Sequence, residues 1–167
     1  IDINTELIVG LPGETWESWT TGFCDLLSRD IIVEAYPVTI LANSEMNMPE
    51  YKEKHGITQT TLKSYFSNIV DEYQETLTGT KELPADKMKK LWLWTWYTSM
   101  MDANGFTQII TRYLNKRHNV PFEKFYIYLL DWGLENKDCA VHKWLKKWQA
   151  YGDKLEFNMF LAGMTYA

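Results

Sequence analysis

The stretch Glu6-Leu7-Ile8-Val9-Gly10-Leu11-Pro12-Gly13-Glu14-Thr15 constrains the fold most. An apolar run of strand length breaks at a Gly/Pro turn and passes into a helix, as at the end of a βα unit. Gly10 and Gly13 permit positive φ or close backbone approach, Pro12 has no N–H to pair, and Glu14 and Glu17 put negative charge on the first helical turn. Trp16, Trp19, Phe23, Leu26 and Leu27 recur at helical spacing and form the face that packs back on the strand. The apolar run over 31–41 predicts a second strand, with an irregularity or an edge at Pro37. Residues 1–42 therefore read as strand 2–10, helix 15–28 and strand 31–41, a βαβ unit with parallel strands. A parallel strand needs neighbours and covered faces. The expectation is a C-terminal piece of a larger α/β domain with at least one strand edge left bare.

The second half is dominated by aromatic residues, with eight Trp and ten Tyr in the chain. Leu91-Trp92-Leu93-Trp94-Thr95-Trp96-Tyr97 is apolar around the whole helical circumference, the pattern of a buried helix. Pro84 and Asn104-Gly105 place its ends at 84–103. Phe106, Ile109, Ile110, Tyr113 and Leu114 mark a second helix. Phe122, Phe125, Tyr126, Leu129 and Leu130 mark a third, ending near Gly133, and Val141, Trp144, Leu145, Trp148 and Tyr151 a fourth, stopped by Gly152. Four such stripes predict a separately packed helical domain over 84–167, with Trp92, Trp96, Ile110, Leu129 and Trp148 in its interior. The end of the α/β part is set at residue 48. The bridge over 49–83 reads as a short helix at 49–56 followed by Tyr/Thr-rich segments. For these, strands are preferred, with 73–80 extended, over a single helix across 60–77.

The formal charge of −5 argues against binding nucleic-acid phosphates. Two cysteines without framework spacing point to a reducing, cytoplasmic setting. No apolar run is long enough to span a bilayer. His55, His118 and His142 are scattered without ligand spacing, so neither a metal site nor a catalytic residue is assigned to this chain. Glu14 reads as helix N-terminal charge, Cys24 as a small core residue, Glu45 and Glu50 as a solvated loop, and Trp92, Trp94 and Trp96 as core.

The phrase from Glu6 to Thr15, with Ala42-Asn43-Ser44-Glu45-Met46 after the second strand, resembles the end of the radical S-adenosylmethionine barrel. The likeness is strongest to the group that carries a cobalamin-binding domain upstream. The resemblance implies a terminal βαβ unit of a (βα) barrel followed by a mostly helical C-terminal domain. It also implies S-adenosylmethionine cleavage at a four-iron, four-sulfur cluster, starting radical chemistry such as cobalamin-mediated methyl transfer. Carried over by position, Ile8 and Gly10 are the candidates for holding the adenosine, with Leu41 and Asn43 lining the same pocket. The general motif Gly-x-Ile-x-Gly-x-x-Glu is met at Ile8 and Gly10, whereas Glu6 and Gly13 stand at its outer positions. Cys24 and Cys139 cannot supply the cluster motif, so cluster ligands and any cobalamin domain are expected in an upstream part of the same polypeptide. On that reading the piece alone is inactive, and its substrate, a small molecule or a peptide, is not specified.

Two other classes fit parts of the pattern. A glycine turn before a helix can cradle a phosphate, although no Lys and Ser/Thr follow Gly10 at Walker spacing. Aromatic helices can also dock a protein partner, in which case large apolar patches should stand exposed.

Overall fold

The computed structural model describes residues 4–63 and 73–153. Strand β1 (Asn4–Val9) leads through helix α1 (Trp16–Ser28) to β2 (Ile32–Pro37), and the two strands pair in parallel, Asn4 opposite Ile32 through Val9 opposite Pro37. The expected parallel pairing of the two segments holds over these residues. They form a two-stranded sheet, so each strand keeps one unpaired edge among the described residues. Alternation buries Val9, Val33 and Ala35 in the core with α1 and leaves Glu6, Ile8 and Ile32 exposed.

The turn into α1 is built as its residues dictate. Gly10 and Gly13 adopt φ of 86° and 90°. Thr15 is the cap: its Oγ1 accepts from Ser18 N at 3.1 Å, and its N donates to Ser18 Oγ at 2.9 Å. Glu14 stays at this end, accepting from the Ser18 hydroxyl.

The second segment does not remain one strand to Leu41. Pro37 ends the parallel ladder because it has no N–H to donate. Val38 O instead accepts from Leu77 N at 3.0 Å, and β3 (Thr39–Ile40) enters another sheet. That sheet is antiparallel in the order β3-β5-β4, with β4 at Thr58–Lys63 and β5 at Tyr73–Gly79. The extended reading of the bridge therefore holds for these residues, and the single helix across 60–77 does not; residues 64–72 lie outside those described. Helix α2 (Pro49–His55) ends at Gly56, in the left-handed region. The fold is mixed α/β, and no closed barrel is present among the described residues.

Four helices follow: α3 (Ala85–Ala103), α4 (Gln108–His118), α5 (Phe122–Glu135) and α6 (Ala140–Asp153). Instead of packing as a unit of their own, they share one core with the βαβ unit. Trp94 is fully buried between Trp16 and Phe23, at ring distances of 6.2 and 5.8 Å. Trp19 Nε1 donates to Thr95 Oγ1 at 2.8 Å, and Thr95 Oγ1 donates to Leu91 O at 2.8 Å. Trp92 and Trp96 are buried as expected, whereas Leu129 and Trp148 are half-buried.

Two expectations for the helices, the burial of Ile110 and the stop at Gly152, are corrected. Ile110 is exposed, as are Phe106, Ile109 and Tyr113, and α4 turns Thr111 inward. A polar network selects that face. Tyr126 Oη donates to Asp102 Oδ1 at 2.9 Å, Thr107 Oγ1 lies 3.0 Å from Tyr126 Oη, and Arg112 Nη1 donates to Asp102 Oδ1 at 3.1 Å. The end of α5 near Gly133 holds, the helix running two residues further to Glu135; at Gly133 a Cβ would stand 2.7 Å from Leu145 Cδ1 and 2.9 Å from Val141 Cγ1. Its missing side chain lets α6 approach. Gly152 lies within α6, which runs on to Asp153.

Candidate cofactor-facing surface

The side of the parallel pair away from the buried Val9, Val33 and Ala35 is the one the strand alternation leaves open. Ile8, 52% exposed, is the register partner of Tyr36, and Glu6 that of Glu34. The Tyr36 phenol donates to Glu34 Oε2 at 2.7 Å. That hydrogen bond, aided by desolvation and by the negative charges of Glu34 and Glu6, pushes the phenol up to about 12. The open face thus presents an apolar side chain at the strand end and an oriented, protonated phenol beside two carboxylates.

Gly10 follows directly at the C-terminal end of β1 and is buried. A Cβ there would stand 2.5 Å from both Sδ and Cε of Met88 on α3. The close approach foreseen for this glycine is thus made, on its Cβ side, by a protein side chain. Leu41 and Asn43 come from elsewhere. They sit in an exposed turn after β3, where Ser44 N and Ser44 Oγ donate to Leu41 O at 3.0 and 2.7 Å. The structure therefore brings Ile8 and Gly10 to one strand end, and puts Leu41 and Asn43 beyond the change of sheet. Sequence reasoning passed over Glu34 and Tyr36. Their signal was two polar tips at i and i+2 inside an apolar run, which alternation assigns to one face.

The residues do not make a cluster site. Among the described residues no group of three or more His, Cys, Asp or Glu side chains is placed to hold a metal ion. Cys24 is buried on α1, and burial pushes its thiol well above its ordinary range. Cys139 precedes α6, outside any helix, where its sulfur accepts from His142 N at 3.3 Å. His142 Nδ1 contacts Gly133 O at 3.1 Å, and His55 stacks on Tyr51 with ring centres 4.3 Å apart. The glycine turn is also unsuited to an anion. Gly13 N donates to Glu82 Oε2 at 3.4 Å, and Glu14 and Glu17 stand at the same helix end, so a phosphate would meet carboxylates.

The fold and this surface define a class: an α/β chain with a parallel βαβ unit, open on one face and closed on the other by helices that share its core. No protein-family model matches the chain. Two curated methyltransferases are similar to it. A cobalamin-dependent radical SAM methyltransferase, TokK, of Streptomyces tokunonensis is 28% identical over 146 residues, which is 82% of this chain and 21% of that protein. The 2-(S-pantetheinyl)-carbapenam-3-carboxylate methyltransferase of Streptantibioticus cattleyicolor is 28% identical over 131 residues, 73% of this chain and 19% of that protein. The chain is related to this group of methyltransferases, and it spans about a fifth of the length of the relatives it matches. Among the described residues no helix is long and apolar enough to cross a membrane.

Proposed function

We propose that the chain is the closing part of a radical S-adenosylmethionine methyltransferase, with β1, α1 and β2 as the last βαβ unit of its barrel. The observation that carries this reading is the open face of the parallel pair, with Ile8 half exposed at a strand end and both outer strand edges unpaired among the described residues. Similarity over most of the chain to a cobalamin-dependent radical SAM methyltransferase supports it.

On this reading Ile8 lies against the adenine ring and the Gly10 backbone passes beside the adenosine, with Leu41 and Asn43 approaching from the turn after β3. An apolar side chain next to a bare backbone segment suits the flat, largely apolar face of a purine. The described residues do not fit an iron–sulfur cluster, so its ligands, like a cobalamin domain, belong to other parts of the full-length protein. When bound there, S-adenosylmethionine supplies the radical and methyl chemistry. This chain's part is to bind, orient and exclude water. The two free cysteines accord with the reducing cytoplasm in which such a cluster survives.

The test is Ile8→Glu in the full-length protein. Because the side chain is exposed here, the fold should tolerate the change, while a carboxylate against the purine should weaken S-adenosylmethionine binding about tenfold or more, equivalent to ~1.4 kcal/mol. Cluster iron content should be unchanged. Equal affinities in equilibrium dialysis would remove Ile8 from the pocket.

A further inference from the structure

The most unusual surface lies on α4. Ile109, Ile110 and Tyr113 are 83, 50 and 55% exposed and share one stripe of α4, and Phe106, 72% exposed, lies in the bend just before the helix. Phe106 also walls a cleft of about 490 Å³ formed with Met100, Met101, Val141 and Trp144. Phe106 thus belongs to the cleft and stands three residues before the stripe, and apolar surface of this form receives an amphipathic helix. Contiguous exposed apolar patches of this kind mark interaction sites.

Its place in the fold separates it from the cofactor-facing surface. Arg112 on α4 donates from Nη2 to Leu27 O at 3.1 Å and from Nε to Asp30 Oδ1 at 2.8 Å. Those residues feed the beginning of β2, so α4 stands at the N-terminal base of the parallel strands. Gly10 marks their opposite end. The charge is equally particular: Lys116 and Arg117 end α4, which has no acidic residue, in a chain of formal charge −5.

We infer that this surface seats an amphipathic, acid-flanked segment of the same polypeptide from outside these 167 residues. The inference rests on the methyltransferase reading, under which about four-fifths of the protein lies outside this chain. A second copy is the poorer occupant, since a second α4 carries no carboxylate to answer Lys116 and Arg117.

The experiment places a photoreactive benzophenone amino acid at position 109 of the full-length protein, with position 128 as control. Tyr128 is 67% exposed on a different helix. After irradiation, cross-linked peptides are mapped by mass spectrometry. Cross-links from 109 should land in the same chain outside these 167 residues, at about tenfold higher yield than from 128. A yield equal to the control would overturn the inference. So would cross-links between two copies, to a separate protein, or within this stretch, its last residues 154–167 included. S-adenosylmethionine cleavage measured on the same preparation keeps the two readings apart: an active enzyme with position 109 uncovered loses only the docking inference, and a cross-linked but inactive one loses only the enzymatic reading.

Discussion

Replacing Gly10 by Ala should destabilise the chain through two separable effects. The residue sits at φ 86°, where an L side chain pays ~1–2 kcal/mol. The new Cβ would also lie 2.5 Å from Met88 Sδ and Cε, against the ~3.5–4.0 Å at which carbon atoms rest. Met88 is fully buried, so its tip cannot swing into water, and overpacking of this kind costs ~1–3 kcal/mol. The expected loss is therefore about 2–5 kcal/mol in urea unfolding. Met88→Ala alone should cost about 2–5 kcal/mol. In that background Gly10→Ala should cost only the backbone part, ~1–2 kcal/mol, because the obstructing atoms are gone. Equal costs in both backgrounds would refute the contact. The cycle also bears on function: a bulky residue at Gly10 that weakens S-adenosylmethionine binding implicates the pocket only if the loss persists once Met88 has been shortened.

Arg112→Met removes a cation from Asp102, which is 5% exposed, and should cost about 3 kcal/mol in denaturant unfolding; a loss under 0.5 kcal/mol would make the pair a surface contact. The Tyr36 phenol, followed by NMR with a labelled ring carbon, should titrate near 12, and Glu34→Gln should bring it back toward 10.0. Its folded value is raised, so the stability this bond gives is present in full below about pH 10 and is lost as pH rises through about 12; an ordinary titration would place the phenol away from Glu34. Trp92→Ala should cost about 3–5 kcal/mol, and turnover of the full-length variant should fall in step with its melting temperature. A variant that melts normally yet loses turnover would put the indole in the substrate site.

Much of the first half was legible because its signals are local. A strand-length apolar run, two glycines in a turn with Pro12, and Glu14 and Glu17 on the first helical turn define β1, its turn and the start of α1 without reference to distant residues. Pro37 announced an interruption, yet the sheet the chain enters next depends on β5, almost forty residues away. Periodicity located α4 but not its inward face. Thr111 won over Ile110 because Tyr126, Asp102 and Arg112 form a polar network that a small hydroxyl residue can border. Asp102 itself was the missed signal, a carboxylate in a helix otherwise rich in Trp and Met. Glycine carried only part of its meaning for a similar reason: Gly133 marks the nearby helix end in sequence, but in space it is also the seat for Leu145.

Helix α3 explains how the cofactor-facing end and the base are held in register. Its nineteen residues span about 28 Å at 1.5 Å per residue. Near its start Met88 fills the space beside Gly10; near its end Asp102 receives Tyr126 and Arg112, and Arg112 in turn reaches Leu27 and Asp30. Between them Trp94 packs against Trp16 and Phe23, and Thr95 accepts the Trp19 indole N–H. Sliding α3 along its axis would empty the Trp94 site and break both polar attachments together, so no one of these contacts can adjust alone. The position of the Gly10 backbone is therefore set by packing along the whole helix, with Trp94 and the Trp19–Thr95 hydrogen bond at its middle.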